Sequence, residues 1–383
     1  MRVGISALQL ARANSGIGQY IYNLISRLLL IDEGDFYIYT SRGNARQEWK
    51  HLNGVVIREF EFKKHQVARR NLFELFTFGR VLERDRLSVF WAPDAKIPLI
   101  MPCKLPIIVT VHDLAIFKEA NTYQKSRVIY WRKLFRRAVG TASRIVAISN
   151  TTKQDLVDIM GVNPEKIVVV YNGVDERYRV SCYSQSLDDI RRKYLLPPKY
   201  LLFVGIISPR KNLSTLLKSL ALLKTKYRMQ HKLVIVGEKG WLYRDVFRLV
   251  STLGLEQSVI FTGFIDDVDL PAVYRMADVF VYPSLYEGFG LPVVEAMASG
   301  VPVVTSARSA LPEVAGDAAL LVDPRDAVQI GDAVYRVLTD PSLRQRLISK
   351  GLSRSREFSW EDAAQKLHKL FTELAGETGD RAL

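Results

Sequence analysis

The segment 278–306, DVFVYPSLYEGFGLPVVEAMASGVPVVTS, constrains this chain more than any other. It reads as an apolar strand, a glycine-bearing acidic loop, a short helix and a second apolar strand, the βαβ unit of a parallel sheet. Pro292 stands where a first helical residue tolerates a missing N–H, and Gly300 closes the helix. Glu287 precedes Gly288, Phe289 and Gly290, while Glu295 lies one turn inside the helix. Backbone N–H groups and the positive end of a helix therefore converge on a point flanked by carboxylates. Such a point suits an anion with a polyol beside it: N–H groups take phosphate oxygens, and a carboxylate accepts hydrogen bonds from sugar hydroxyls. A nucleotide sugar has both halves. A plain βαβ turn whose glutamates face water is the alternative for the loop taken alone.

The rest of the chain alternates strands and helices in two blocks. In the first, strands are expected at 2–6, 36–39, 55–60, 89–92, 107–111, 144–148 and 167–170, with a turn at 16–18 and a helix at 19–30. Between 175 and 199 the pattern lapses into short polar segments ending in Pro197 and Pro198, as a domain boundary would. The second block restarts with strands at 200–204, 232–236, 259–264 and 279–282 and helices at 212–224, 241–251 and 268–277. The expected fold is α/β, two doubly wound Rossmann-like domains with parallel sheets and ligands at the carboxyl ends of the strands. The domains run 1–180 and 200–375, with a linker at 181–199, a final helix near 360–375 packing back on the first domain, and a frayed tail at 376–383.

At 383 residues the chain is too long for one core and fits two ordinary domains. Its two cysteines, Cys103 and Cys182, make no disulfide framework and no metal-ligand spacing, which points to a reducing cytoplasm. The start, MRVGISALQL, reads as a buried strand and not as a signal peptide. No run reaches the roughly eighteen uncharged apolar residues of a membrane helix, since 97–111 is interrupted by Pro98, Pro102, Lys104 and Pro106. The net charge is +14, and 120–154 contains no acid among eight lysines and arginines. There Ile129, Tyr130, Trp131, Leu134, Phe135 and Val139 recur at helical spacing, so a basic amphipathic helix is expected over 123–139. An anionic membrane surface, nucleic acid, or water alone would each suit it. The lipid surface is favoured because no nucleic-acid module signature occurs in the chain.

Motifs in order along nearly the whole chain resemble the retaining glycosyltransferases of family 4, with the GT-B fold. They are GIGQY at 16–20, TVHD at 110–113, AISN at 147–150, VYNGVD at 170–175, FVGIISPRKN at 203–212, IVGEKGW at 235–241, FTGFIDD at 261–267 and the acidic loop. The resemblance implies transfer of a sugar from a nucleotide donor to an acceptor hydroxyl, with retention and without a metal or other cofactor. Arg210 and Lys211, after a buried strand and at a helix start, can reach a leaving diphosphate whose charge grows in the transition state. Family members often carry an arginine where this chain has Ile206, which places more of that load on Arg210 and Lys211.

By the same resemblance Glu295 holds the ribose hydroxyls and Glu287 stands beside the donor sugar. Gly288, Phe289, Gly290 and Leu291 offer backbone N–H groups to the sugar and distal phosphate, and Gly237 and Phe264 border the base. His112 faces the sugar from the opposite domain, with Asp113 supporting its loop, and Gly16 and Gly18 bend the first loop toward the cleft. Asn172 and Gly173 are read as a structural turn; Ser306, Ser309 and Glu313 carry no assigned role. Sequences of this pattern resemble bacterial mannosyltransferases of surface polysaccharide assembly. The expected function is therefore a hexosyltransferase using GDP-mannose, with a UDP-hexose as the alternative donor, acting on a glycan or lipid-linked acceptor in the cytoplasm or at the inner membrane face. A nucleotide-sugar-binding protein without transfer, or an epimerase, remains a second class.

Overall fold

The computed structural model describes residues 1–12, 16–31, 34–62, 67–101, 105–179 and 186–379. Cys103 and Cys182 lie outside them. Two compact units divide the chain, one of residues 1–117, 125–173 and 359–383, the other of 118–124 and 174–358.

The first unit holds a seven-stranded sheet, β1 (Arg2–Ser6), β2 (Asp35–Ser41), β3 (Val55–Phe60), β4 (Val89–Ala92), β5 (Ile107–Val111), β6 (Arg144–Ala147) and β7 (Ile167–Val169), in the order β3-β2-β1-β4-β5-β6-β7. All six pairings are parallel. A sheet covered on both faces needs strands apolar on both sides, and VFWA of β4 and IIVTV of β5 are buried at every position. Helices close it with ordinary signals. Ser149 caps Asn150–Met160 by accepting from the Thr152 N–H at 3.0 Å, and Gly161, at φ 65°, ends that helix in the left-handed region.

The second unit repeats the plan with six strands, β8 (Tyr200–Val204), β9 (Lys232–Val236), β10 (Val259–Gly263), β11 (Val279–Tyr282), β12 (Val303–Ser306) and β13 (Ala319–Val322), in the order β10-β9-β8-β11-β12-β13, again all parallel. In both sheets the order reverses direction beside the first strand, which opens a crevice at the carboxyl ends.

The elements differ from the sequence reading in four places. Residues 16–18 are no turn; they form the first turn of the helix Gly16–Ile31, with Gly18 buried. The lapse at 181–199 is not a bare linker, because Leu187–Lys193 is a helix of the second unit. Its Ser186 cap accepts from Asp189 N–H at 3.1 Å, Ile190 is buried, and Lys193 bonds Asp266 and Asp269 at 2.8 Å each. The change of unit falls at 173/174, where a Cβ on Gly173 would stand 2.2 Å from the Trp360 nitrogen. Finally, the last helix, Trp360–Gly379, runs through the expected frayed start at Gly376, and its Glu377 pairs with Arg144 at 3.4 Å in the first unit.

Candidate functional site

In the second unit the loops that follow four neighbouring strands carry the residues expected to bind the donor. Gly205 follows β8, Gly237 follows β9, Gly263 and Phe264 end β10, and Glu287 lies in the loop after β11. Arg210 and Lys211 occupy a single 3-10 turn after β8, Pro209–Lys211, stopped by Asn212 at φ 58°. Asn212 is held there by its own side chain, which donates to the carbonyls of Pro283 at 3.0 Å and Pro324 at 2.5 Å. The basic turn is thereby fixed to the acidic loop.

Glu287 is nearly buried and sits between the two cations, Oε2 at 2.9 Å from Arg210 Nη1 and Oε1 at 2.6 Å from Lys211 Nζ. Ser284 Oγ donates to Oε1 at 2.5 Å and Tyr282 OH at 3.2 Å, while the Glu287 N–H donates to Ser309 Oγ at 2.9 Å. Burial pushes this carboxyl up, but Arg210, Lys211 and the hydrogen bonds from Lys211 and Ser284 outweigh it and hold the group at about 2. Glu287 is therefore ionised at neutral pH. The sequence separates these three residues into a sugar-side acid and two phosphate-side bases. The fold makes them one cluster with Tyr282, since Lys211 also donates to the Tyr282 hydroxyl.

Glu295 has a different environment. On the helix Leu291–Ala298 it accepts from Tyr274 OH at 2.8 Å and from Tyr178, whose ring meets Tyr274 edge-on at 5.6 Å. Burial raises its carboxyl to about 7 against the lowering effect of the two tyrosines, with the charges of Asp267 and Asp175 adding to the rise. Two carboxylates eight residues apart thus differ in protonation at neutral pH. Neither Tyr178 nor Tyr274 carries any local signal in the sequence, and Ser309 finds a role that the sequence withheld. Ser306 is buried, and the Glu313 backbone carbonyl accepts from Arg354 at 2.7 Å.

Gly288 and Phe289 belong to the loop as expected, but the Phe289 side chain is core, packed edge-on against Phe358 at 5.3 Å. Gly290 caps the helix at φ 104°, where a Cβ would meet Leu311 Cδ2 at 2.6 Å, and Leu291 is its first residue. Gly237, at φ 141°, has no room for a Cβ, which would lie 2.2 Å from the Gly205 carbonyl oxygen. Phe264 is 42% exposed beside it at the end of β10. Side-chain-free backbone and an exposed aromatic together suit a flat heterocycle.

His112, Gly16 and Gly18 lie in the first unit. His112 follows β5, meets Tyr20 edge-on at 4.7 Å, and its Nε2 donates to the Pro93 carbonyl at 2.6 Å. A carbonyl only accepts, so Nε2 carries the proton. Burial lowers the imidazole's affinity for a second proton against the opposing effects of Pro93, Asp94 and Asp113, which leaves Nδ1 an acceptor. Asp113 accepts from the Ala115 N–H at 2.9 Å and so holds its loop. Gly16 and Gly18 stand at the positive end of a sixteen-residue helix and not in a bend. Among the described residues no group of three His, Cys, Asp or Glu side chains is placed to hold a metal ion.

Two Rossmann-like units of this strand order are the architecture of GT-B glycosyltransferases. The chain superposes on the sucrose-phosphate synthase of Thermosynechococcus elongatus with a TM-score of 0.77, covering 98% of this chain and 100% of that one at 21% identity. The family model for glycosyl transferases group 1 matches residues 187–354, and that for glycosyltransferase family 4 matches residues 14–178. O-antigen chain mannosyltransferase B of Escherichia coli is 34% identical over 255 residues, 67% of each chain. The serotype-specific mannosyltransferase WbdA of Escherichia coli is 32% identical over 271 residues, which are 69% of this chain and 33% of that much longer one. The chain belongs to glycosyltransferase family 4.

Proposed function

We propose that this glycosyltransferase moves mannose from GDP-mannose to a hydroxyl of a glycan or lipid-linked glycan in the cytoplasm, with retention of configuration and without a metal. The observation that carries the transfer reading is the buried Arg210–Glu287–Lys211 cluster at the carboxyl ends of β8 and β11. As the bond from C1 to the β-phosphate oxygen breaks, its electron pair goes to the diphosphate. Arg210 and Lys211 are the cations placed to stabilise that charge, in surroundings of low polarity where the interaction is strong. Glu287, ionised, is suited to the positive charge that develops at C1. The acceptor oxygen bonds C1 and its proton passes to the departing diphosphate oxygen, so charge and atoms balance. Glu295 takes the ribose hydroxyls, and Gly237 and Phe264 border the base. The choice of mannose is supported by the two relatives of about one-third identity.

Release of nucleoside diphosphate from GDP-mannose and from UDP-glucose, with and without α-mannosyl oligosaccharide acceptors, tests this reading. Acceptor-dependent release from GDP-mannose, giving an α-linked product that survives chelator, is expected. Preference for the UDP-sugar overturns the donor. Binding without release returns the chain to a nucleotide-sugar-binding protein, and an isomerised donor returns it to an epimerase.

A further inference from the structure

We propose that one face of the first unit, built from the helices Val67–Phe76 and Lys125–Thr141 and the loop at 97–101, docks on an anionic lipid bilayer. This holds whichever sugar is transferred. The basic helix forms as its sequence predicts, and the cations described on it divide into two sets. Arg132 donates to the carbonyls of Ile116 and Phe117 at 3.1 and 3.2 Å, and Arg137 to those of Pro98 and Leu99, so these two hold loops in place. Lys125, Lys133 and Arg136 face water, and between them Ile129 is 73% and Tyr130 46% exposed.

A second helix completes the face. On Val67–Phe76, Arg69, Leu72 and Phe76 fall on one stripe by helical spacing, and all three face water, Leu72 and Phe76 at 57% exposure. Asn71, Glu74 and Leu75 of the same helix share a small pocket with Ile97, Tyr130, Trp131 and Leu134, which joins the two helices. Ile100, 73% exposed, adjoins them, since the Leu99 N–H donates to the Leu75 carbonyl at 2.8 Å. Tyr130 lines that pocket, and Leu72, Phe76, Ile100 and Ile129 stand exposed on the elements that form or adjoin it, a grouping that isolated surface apolar residues do not make.

Charge selects the occupant. The nearby acids Glu74 and Asp94 are buried and paired, Glu74 with Arg70 at 3.5 Å and with Lys96 at 3.9 Å, and Asp94 with Lys96 at 3.8 Å. The charges left to water on the two helix stripes, Arg69, Lys125, Lys133 and Arg136, are all cationic. Apolar side chains ringed by cations match the boundary between acyl chains and anionic headgroups.

Co-sedimentation of the whole protein with vesicles tests the proposal. Vesicles of phosphatidylcholine with one-third phosphatidylglycerol should bind it, pure phosphatidylcholine should not, and binding should fall as salt rises. Arg69→Gln with Lys125→Gln and Lys133→Gln should weaken binding at least tenfold, and so should Leu72→Ser with Phe76→Ser and Ile129→Ser. Both variants should keep the parent melting temperature and turn over a short soluble acceptor within twofold of the parent. Binding indifferent to phosphatidylglycerol, or unchanged in either variant, overturns the proposal. So does loss of affinity for a single-stranded RNA 20-mer in the charge variant without vesicle binding by the parent. The vesicle binding and the melting temperature require no catalysis, so a wrong donor or acceptor assignment leaves the test intact.

Discussion

At the residue scale, the two glutamates that the sequence treats alike are set apart by their neighbours. The Glu295 carboxyl accepts from two tyrosine hydroxyls and is held at about 7, so below pH 7 it is protonated and offers one good acceptor, whereas above it offers two. Affinity for GDP-mannose, whose esterified diphosphate does not titrate in this range, should therefore rise from pH 6 to pH 8. Calorimetry at pH 7 in buffers of different ionisation enthalpy should record proton release on binding. Glu295→Gln should weaken binding, by about 1.5–3 kcal/mol at pH 8 for a lost charge-assisted bond, and flatten the pH dependence. A parent profile without slope would place ribose elsewhere. Glu287 predicts the opposite split. Glu287→Gln removes the anion that occupies Arg210 and Lys211, so GDP should bind as tightly as to the parent or more tightly while turnover falls. Lys211→Met should lower turnover by about a hundredfold and donor affinity by much less, because its partner charge is largest in the transition state. Equal losses in kcat and binding would make Lys211 a plain anchor.

Seven strands were legible in the sequence to the residue: β1, β3, β4, β5, β8, β9 and β11 begin and end where the alternation of segments puts them. Those buried at every position, β4, β5, β8 and β11, have no other way to look than a continuous apolar run. The helix start at Gly16 was hidden because glycines read as a turn, although the periodic run behind them extends the helix through it. Within the site, the acidic loop and basic turn were visible as motifs, but their union was not. Arg210 and Lys211 meet Glu287 only because β8 and β11 are neighbours, which brings Lys211 to a partner 76 residues away. Tyr274 reaches Glu295 from the helix Leu270–Arg275 on the other side of β11, 21 residues away in sequence. The ends of β8 and β9 also offer a test of how tightly the base side is built. Gly237→Ala places a methyl against the Gly205 carbonyl and forces an unfavourable φ, a strain of about 1–3 kcal/mol. Donor affinity should drop about tenfold and the melting temperature by a few degrees. A variant with parental affinity would show that these strand ends do not border the donor.

At the scale of the whole molecule, the chain does not divide by halves. It leaves the first unit after Phe117, returns at Lys125, leaves again at Gly173 and returns at Ser359. The last segment is integral to the unit that begins at residue 1. The helix Trp360–Gly379 buries Trp360, Leu367, Leu370, Phe371 and Leu374, sets Trp360 edge-on to Tyr20 at 6.0 Å, and pairs Glu361 with Arg27 at 2.7 Å. At about 1.5–3 kcal/mol for each of five large side chains, the helix contributes on the order of 7–15 kcal/mol, comparable to the entire stability of a domain. Truncation after Phe358 should therefore unfold the first unit selectively. The second unit, which keeps all six of its strands, should persist. Limited proteolysis of the truncated protein should degrade residues before Val174 and leave a resistant fragment from near Val174 to Phe358, and that fragment should still bind GDP-mannose. Gly173→Ala, which drives a methyl into the Trp360 backbone, should reproduce the lesion in milder form, lowering one thermal transition and leaving the other in place. Concerted loss of both units in either variant would mean that the helix supports the whole molecule and not one half of it.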